Sequence, residues 1–379
     1  MDFSKLKECL DRLITNYNSP GFDCVVYKNH EKLFRYYSGK KDIEKNIPLN
    51  GNELYLIFSM TKMVTCVSAL QLMERGLFSL DDKLSDYIPE FKSIKKIGEN
   101  GLEDVKNPVL IKHLFSMSGG FDYNINASYI EECKNAGKTS TLDIVKALSN
   151  TPLLFEPGTN YQYSLCHDIL GGLIEVVSGK RLSEYMKENI FNPLGMSETF
   201  FGLPKDVESL KRFPERYKYN EERKPEHLPL ACPYIITDEY ESGGAGLASK
   251  TEDYALFLDA LASGGKTKDG YRLLKEETIS LMNKNQLTPE GLLKFQTPLK
   301  AKGYGYGLGV RTHINKEESK SLSPLGEFGW DGAVGGFAIT DTENKLSLTL
   351  LQHIHLWDHK IQNEIRNALY SVVLGDKNV

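Results

Sequence analysis

Residues 54–76 read LYLIFSMTKMVTCVSALQLMERG, an apolar run that passes at Ser59 into a long apolar segment closing on Arg75-Gly76. The spacing of Met63, Val64, Val67, Leu70 and Met73 predicts a buried amphipathic helix from Ser59 to Arg75, and Gly76 is an ordinary residue just past its end. Ser59 opens this helix and Lys62 stands three residues later, so both side chains fall on one face and the amine can reach the hydroxyl. A serine hydroxyl needs an adjacent base before it attacks, and a lysine serves when burial or a neighbouring cation holds it neutral. The N-terminal end of the helix adds free N–H groups and partial positive charge where an oxyanion would develop. The pattern S-x-x-K occurs five times, at Ser4, Ser38, Ser59, Ser93 and Ser263. Only Ser59 follows an apolar run and opens a long apolar helix, which singles it out as nucleophile with Lys62 as its partner.

Upstream, Phe3, Leu6, Leu10, Leu13 and Ile14 lie at helical spacing among charges, an amphipathic helix rather than a signal core, so a cytoplasmic location is expected. Residues 22–38 form two β-rich runs separated by Lys28-Asn29-His30-Glu31, the pattern of a hairpin. From about 80 to 300 helical patterns alternate with Gly/Pro punctuation, among them 108–116, 141–149, 166–178, 182–191 and 251–263. Strand character returns at 304–313, 333–340 and 345–353, followed by a helical stretch from about 357 to 373. This order predicts an α+β protein whose sheet draws on both terminal portions, residues 1–84 and 300–379, with a mostly α-helical body at 85–299 inserted between them. The active site is expected in the cleft between the two. Residues 204–240, rich in Pro, Lys, Glu and Tyr, read as a long surface loop over that cleft.

Composition narrows the chemistry. The 379 residues carry a formal charge of −5 with both signs mixed along the chain, which leaves no basic footprint for nucleic acid. No apolar run approaches the roughly 20 residues that cross a bilayer. Six scattered cysteines form no C-x-x-C pair and read as reduced and structural. His353, His355 and His359 cluster without carboxylate or cysteine ligand spacing, so neither a metal nor a cofactor is expected. Ser263 to Thr267 ends like a phosphate loop, but Ala260 stands where that motif needs glycine. No G-x-S-x-G elbow occurs either. The partner left by these exclusions is a neutral or modestly charged small molecule.

Ser59-Met60-Thr61-Lys62 resembles the first motif of the penicillin-recognising serine enzymes, which include β-lactamases, penicillin-binding proteins and their esterase relatives. Phe155-Glu156-Pro157-Gly158, then Tyr163-Ser164, then an apolar helix ending in Ser178-Gly179, resembles the class C β-lactamase superfamily block that supplies the catalytic tyrosine. Leu80 to Lys83 (LDDK), Leu114 to Phe121 (LFSMSGGF), Pro193 to Met196 (PLGM), Ser242 to Ser249 (SGGAGLAS) and Tyr304 to Leu308 (YGYGL) follow in family order. The resemblance implies a β-lactamase/transpeptidase-like fold, an antiparallel sheet flanked by helices with a large inserted helical domain. It also implies acyl transfer to Ser59, with Tyr163 and Lys62 managing protons and the Ser59 and Ala333 N–H groups holding the oxyanion.

Two departures shape the expected substrate. The second motif, usually Tyr-x-Asn, is here Tyr163-Ser164-Leu165, which removes an amide anchor for peptide-like donors. The third motif aligns with Trp330-Asp331-Gly332 and carries Trp330 where carboxylate-binding relatives place a lysine. Leu165, Trp330, Gly332, Ala333 and Phe121 are therefore the candidate substrate-binding residues, and a small uncharged carboxylic ester is the favoured substrate. The alternatives are a β-lactamase or D-amino-acid-directed peptidase, for which Arg311 could attract a carboxylate, and a ligand-binding protein that kept the fold without turnover.

Overall fold

The computed structural model describes residues 1–355 and 358–375. The expected hairpin forms from β1 (Gly21–Lys28) and β2 (Glu31–Asp42). Asn29 and His30 between them both have positive φ, 49° and 66°. Two successive left-handed residues twist the turn to match the flanking strands. β3 (Ile47–Pro48) extends this edge, and the C-terminal portion supplies β4 (Tyr304–Tyr306), β5 (Arg311–His313), β6 (Phe328–Gly329), β7 (Phe337–Asp341) and β8 (Leu346–Gln352). The strand order is β4-β5-β6-β7-β8-β1-β2-β3, antiparallel throughout, so the two ends of the chain meet where β1 pairs with β8 and Cys24 faces Leu350.

The helices that matter for the site are α1 (Ser4–Thr15), α2 (Thr61–Glu74), α3 (Cys166–Ser178), α4 (Thr251–Ala262), α5 (Pro289–Leu299) and α6 (His359–Leu374). Every residue of β8 is buried, because helices cover both faces of the sheet. Leu346, Leu348 and Leu350 meet apolar residues of α1 and α6 in one cluster, while α4 packs on the other face against β1, β7 and β8. α4 thus lies on the sheet, although its residues fall in the segment expected to form the helical body. α2 is central rather than amphipathic: residues 61–72 are all buried, and Val64, Val67, Leu70 and Leu72 belong to the largest core cluster. A helix apolar on all sides is an interior helix.

Other expectations are adjusted. The run at 304–313 is two strands joined by a turn in which the Gly307 N–H donates to Val310 O at 2.7 Å. The strand expected from 333 starts at Phe337, because residues 332–336 form a turn closed by Gly332 N–H to Gly336 O at 2.8 Å. Residues 204–240 are not a structureless loop: Arg216–Tyr219 and Pro225–Leu228 form a hairpin, which Ile354–His355 joins in parallel. Its strands are short and polar, so no period marked them. Residues 95–104 form a further, exposed hairpin. Residue 357, where the last helix was expected to begin, lies outside the described residues. Among the described residues no helix is long and apolar enough to cross a membrane.

A small sheet bears on the site. Leu247–Ser249 pairs with both Tyr55–Leu56 and Phe200–Phe201, and Ile57 N–H donates to Leu247 O at 3.0 Å. The SGGAGLAS segment is thereby held alongside the run that leads into Ser59.

Candidate active site

Ser59 sits in a single 3-10 turn, Phe58–Met60, and α2 proper starts at Thr61. Phe58 carries a positive φ of 46°, a rare conformation for a bulky residue that persists only where the surroundings over-determine it. Its ring is wholly buried, with Tyr234 and His355 edge-on and the Arg216 guanidinium 5.2 Å from its centroid. Ser59 is presented by this locked turn, and Lys62 by the first turn of the helix behind it.

Lys62 is completely buried. Its Nζ donates to Gly244 O at 2.7 Å, to Ser59 Oγ at 3.3 Å and to the Tyr123 hydroxyl at 3.3 Å. An ammonium has three protons, and here all three find acceptors, which offsets the cost of burying the charge. It also lies 4.7 Å from the Tyr163 ring centroid and 5.3 Å from that of Tyr123, within cation–π range. The Tyr163 hydroxyl is 2.6 Å from Ser59 Oγ. The three residues singled out in the sequence are therefore in mutual contact.

Tyr163 is placed by the loop that precedes α3. Gln162 N–H donates to Met117 O and Leu165 N–H to Asp122 O, each at 3.0 Å, tying this loop to the SGG segment. That segment ends in Tyr123, which the sequence reading passed over. Its ring stacks on Tyr163 at 5.4 Å with an interplanar angle of 11°. Burial, reinforced by the neighbouring Tyr163, pushes the Tyr123 phenol well above its usual range, so it stays protonated. One of twenty tyrosines, two residues past Phe121, it had only its closeness to the LFSMSGGF segment to mark it.

Ser59, Trp330, Gly332 and Ala333 line one cavity of about 580 Å³. A Cβ on Gly332 would stand 2.7 Å from Ile57 O, so this turn lies directly against the backbone that leads into Ser59 and admits only glycine at the contact. Four rings form a near-parallel ladder along the wall: Tyr123 on Tyr163, Tyr163 on Trp330 at 5.9 Å, and Trp330 on Phe295 of α5 at 6.5 Å. Leu165 and Phe121, expected beside the substrate, line no part of this cavity. Leu165 caps the start of α3 and is buried in the core, because the chain turns inward after Tyr163. Phe121 is buried edge-on against Phe91 at 5.8 Å.

Arg311 does reach the cavity. Its Nη1 donates to Asp331 Oδ1 at 2.8 Å, and its Nη2 is 3.6 Å from Glu327 Oε1, which also serves Arg366 through Oε2 at 2.9 Å. Two buried cations and two buried anions cancel one another. Of the three clustered histidines, His353 contacts Glu215 O through Nδ1 at 2.6 Å, His355 contacts Arg216 Nη2 at 2.8 Å and His359 lines the cavity. Burial, with Arg366 and Arg311 nearby, pushes His359 down to about 4, so it is neutral at pH 7.

The chain is similar over most of its length to several known proteins. A putative D-alanyl-D-alanine carboxypeptidase of Escherichia coli (strain K12) is 28% identical over 352 residues, covering 87% of this chain and 75% of its own. Esterase EstB of Burkholderia gladioli is 24% identical over 378 residues, covering 92% and 89%. The solved structure of EstCE1, described as a hydrolase with promiscuous acyltransferase activity, matches with a TM-score of 0.81 at 21% identity over 97% of both chains. The Beta-lactamase family model matches residues 6–369, a span that takes in both ends of the antiparallel sheet and every segment that lines the Ser59 cleft; the chain belongs to the Beta-lactamase family.

Proposed function

We propose that this chain is a serine hydrolase that forms an acyl-enzyme on Ser59 and passes the acyl group to water, with carboxylic esters as its substrates. The observation that carries the reading is the 2.6 Å contact between Tyr163 and Ser59 Oγ beside a fully buried Lys62. As Ser59 Oγ attacks the ester carbonyl, Tyr163, acting as the phenolate that the adjacent ammonium stabilises, takes the serine proton and then returns it to the departing alkoxide. The Lys62 charge favours the deprotonated state of both hydroxyls. The N–H groups of Ser59 and Ala333 receive the oxyanion. Water then repeats the sequence on the acyl-enzyme.

The walls favour esters over peptides and acids. The position that would supply an amide anchor is the core residue Leu165, and the Arg311 charge is spent on Asp331 and Glu327. Tyr123, Tyr161, Tyr163, Tyr234, Phe295 and Trp330 all line the cavity, which suits an uncharged acyl or alkyl group. A volume of about 580 Å³ admits substrates larger than the small esters first expected. The name of the relative EstB supports the ester reading, and that of the carboxypeptidase relative supports the amide alternative.

Hydrolysis of p-nitrophenyl acetate and butyrate, compared with nitrocefin and a D-Ala-D-Ala peptide, tests the preference. Ester turnover should exceed both, and an ester rate below that of nitrocefin overturns it. A fluorophosphonate mass adduct that disappears in Ser59→Ala reports the nucleophile. Absence of labelling in correctly folded wild type favours a binding protein without turnover.

A further inference from the structure

Asp168 lies in the first turn of α3, five residues after Tyr163, and is only 1% exposed. A carboxylate so buried needs compensation, yet among the described residues no Lys or Arg forms an ion pair with it. Its Oδ1 instead accepts from Ser242 Oγ at 2.6 Å, from the Tyr240 hydroxyl at 2.7 Å and from Gly244 N–H at 3.3 Å. Ser242 Oγ accepts in turn from Ala245 N–H at 3.0 Å, so one carboxylate oxygen fastens a complete tight loop.

That loop delivers two successive carbonyls to one face of α2. Gly243 O accepts from Thr65 Oγ1 at 2.7 Å and Gly244 O accepts from Lys62 Nζ at 2.7 Å. Asp168 Oδ2 has no hydrogen-bond partner. A Cβ on Gly244 would stand 2.4 Å from this oxygen and 3.3 Å from Lys62 Nζ. Carboxylate and ammonium are therefore separated by the thickness of one glycine.

We propose that Asp168 is a positioning residue for Lys62: it aims the Gly244 carbonyl at the ammonium and sets a negative charge directly behind it. This rests on the hydrolase reading only in that Lys62 serves Ser59. The other titratable groups facing the pair are Tyr123, Tyr163, Tyr234, Tyr240, His167 and the thiols of Cys66, Cys166 and Cys232. Burial pushes His167 down to about 3 and raises the Tyr123, Tyr234 and Tyr240 phenols and all three thiols. None of these shifted groups supplies a negative charge at neutral pH.

The test compares wild type with Asp168→Asn and Asp168→Glu, reading the pH dependence of Ser59 labelling by a fluorophosphonate and of kcat/KM for p-nitrophenyl butyrate. Removing a nearby negative charge favours deprotonation of both Lys62 and Tyr163, so both limbs of the Asn variant should move to lower pH by about one unit. Its kcat should fall about tenfold or more while KM changes less than about threefold. Asp168→Glu should keep the wild-type limbs. Superimposable limbs in Asp168→Asn overturn the proposal whatever the rate. Failure of both variants to fold overturns it too, by reducing Asp168 to a structural role. If wild type does not label, the hydrolase reading fails by itself, and the Lys62 titration is followed in spectra of ¹⁵N-lysine protein, with Lys62→Met assigning the signal. A Lys62 titration unmoved by Asp168→Asn overturns the proposal there as well.

Discussion

Lys62 gives its shortest hydrogen bond, 2.7 Å, to the carbonyl of Gly244, not to Ser59 at 3.3 Å. The lysine is anchored from behind by a residue 182 positions away. Its reach toward Ser59 therefore depends on how closely that loop approaches α2. Gly244→Ala places a methyl group against Asp168 and must push the loop away. Ester turnover should fall about 10²-fold, as expected when a proton-transfer group is misplaced by about an ångström. Steady-state kinetics with p-nitrophenyl butyrate would show this, and a near-normal kcat would mean that the Gly244 contact is dispensable.

Lys62→Met and Tyr163→Phe should each lower turnover by at least ~10²-fold, the usual contribution of a proton-transfer group. Tyr123→Phe removes only one of three acceptors around Lys62, so a smaller loss of about tenfold is expected. Equal losses in all three would place Tyr123 in the proton transfer itself.

Trp330 stands in the ladder between Tyr163 and Phe295. Trp330→Ala should raise KM for p-nitrophenyl butyrate by about tenfold and for the acetate by less, because the longer chain covers more of the ring. Trp330→Phe should restore most of the difference. A KM ratio between the two esters that does not change on Trp330→Ala would remove the ring from the acyl pocket.

Acid should destabilise the fold between about pH 6.5 and 4. Burial holds His113, His353 and His359 near 4 and His167 near 3, against about 6.5 in an unfolded chain. Across that window the unfolded state binds protons that the fold excludes. Stability is then fully present above about 6.5 and declines as pH falls, by up to about 1.4 kcal/mol per pH unit for each proton taken up. Asp23, pushed up to about 6 by burial despite Arg35, and Glu175 and Asp253, also raised by burial, act in the opposite direction, but His313 and His355, likewise lowered by burial, add to the four rings. Thermal midpoints measured from pH 7.5 to 4 should drop steadily, and His167→Gln should flatten the slope. A midpoint independent of pH in this range would contradict the burial of these rings.

Much of the architecture was legible because local period and burial travel together. The β-rich runs at 22–38 and 345–353 marked strands that do pair across the two ends of the chain. The apolar run through Ser59 marked the helix that carries Lys62, although its burial on every side depends on what surrounds it. The hairpin at 216–228 left no such mark, since its strands are four residues each and mostly polar, and of their residues only Tyr217 is buried in a core cluster.

The sequence by itself determined the pairing of Ser59 with Lys62 and the sheet drawn from both ends, because each rests on spacing within a short stretch, while Tyr163 and the order of the segments around it were marked by their resemblance to a family block. Tertiary structure alone decided that Tyr123 and the Gly244 carbonyl complete the surroundings of Lys62, that Arg311 is neutralised by Asp331, and that Leu165 and Phe121 turn into the core instead of the cavity. The reason is physical. A hydrogen-bond partner 61 or 182 residues distant is selected by how helices, sheet and loops pack, and no local pattern records that choice.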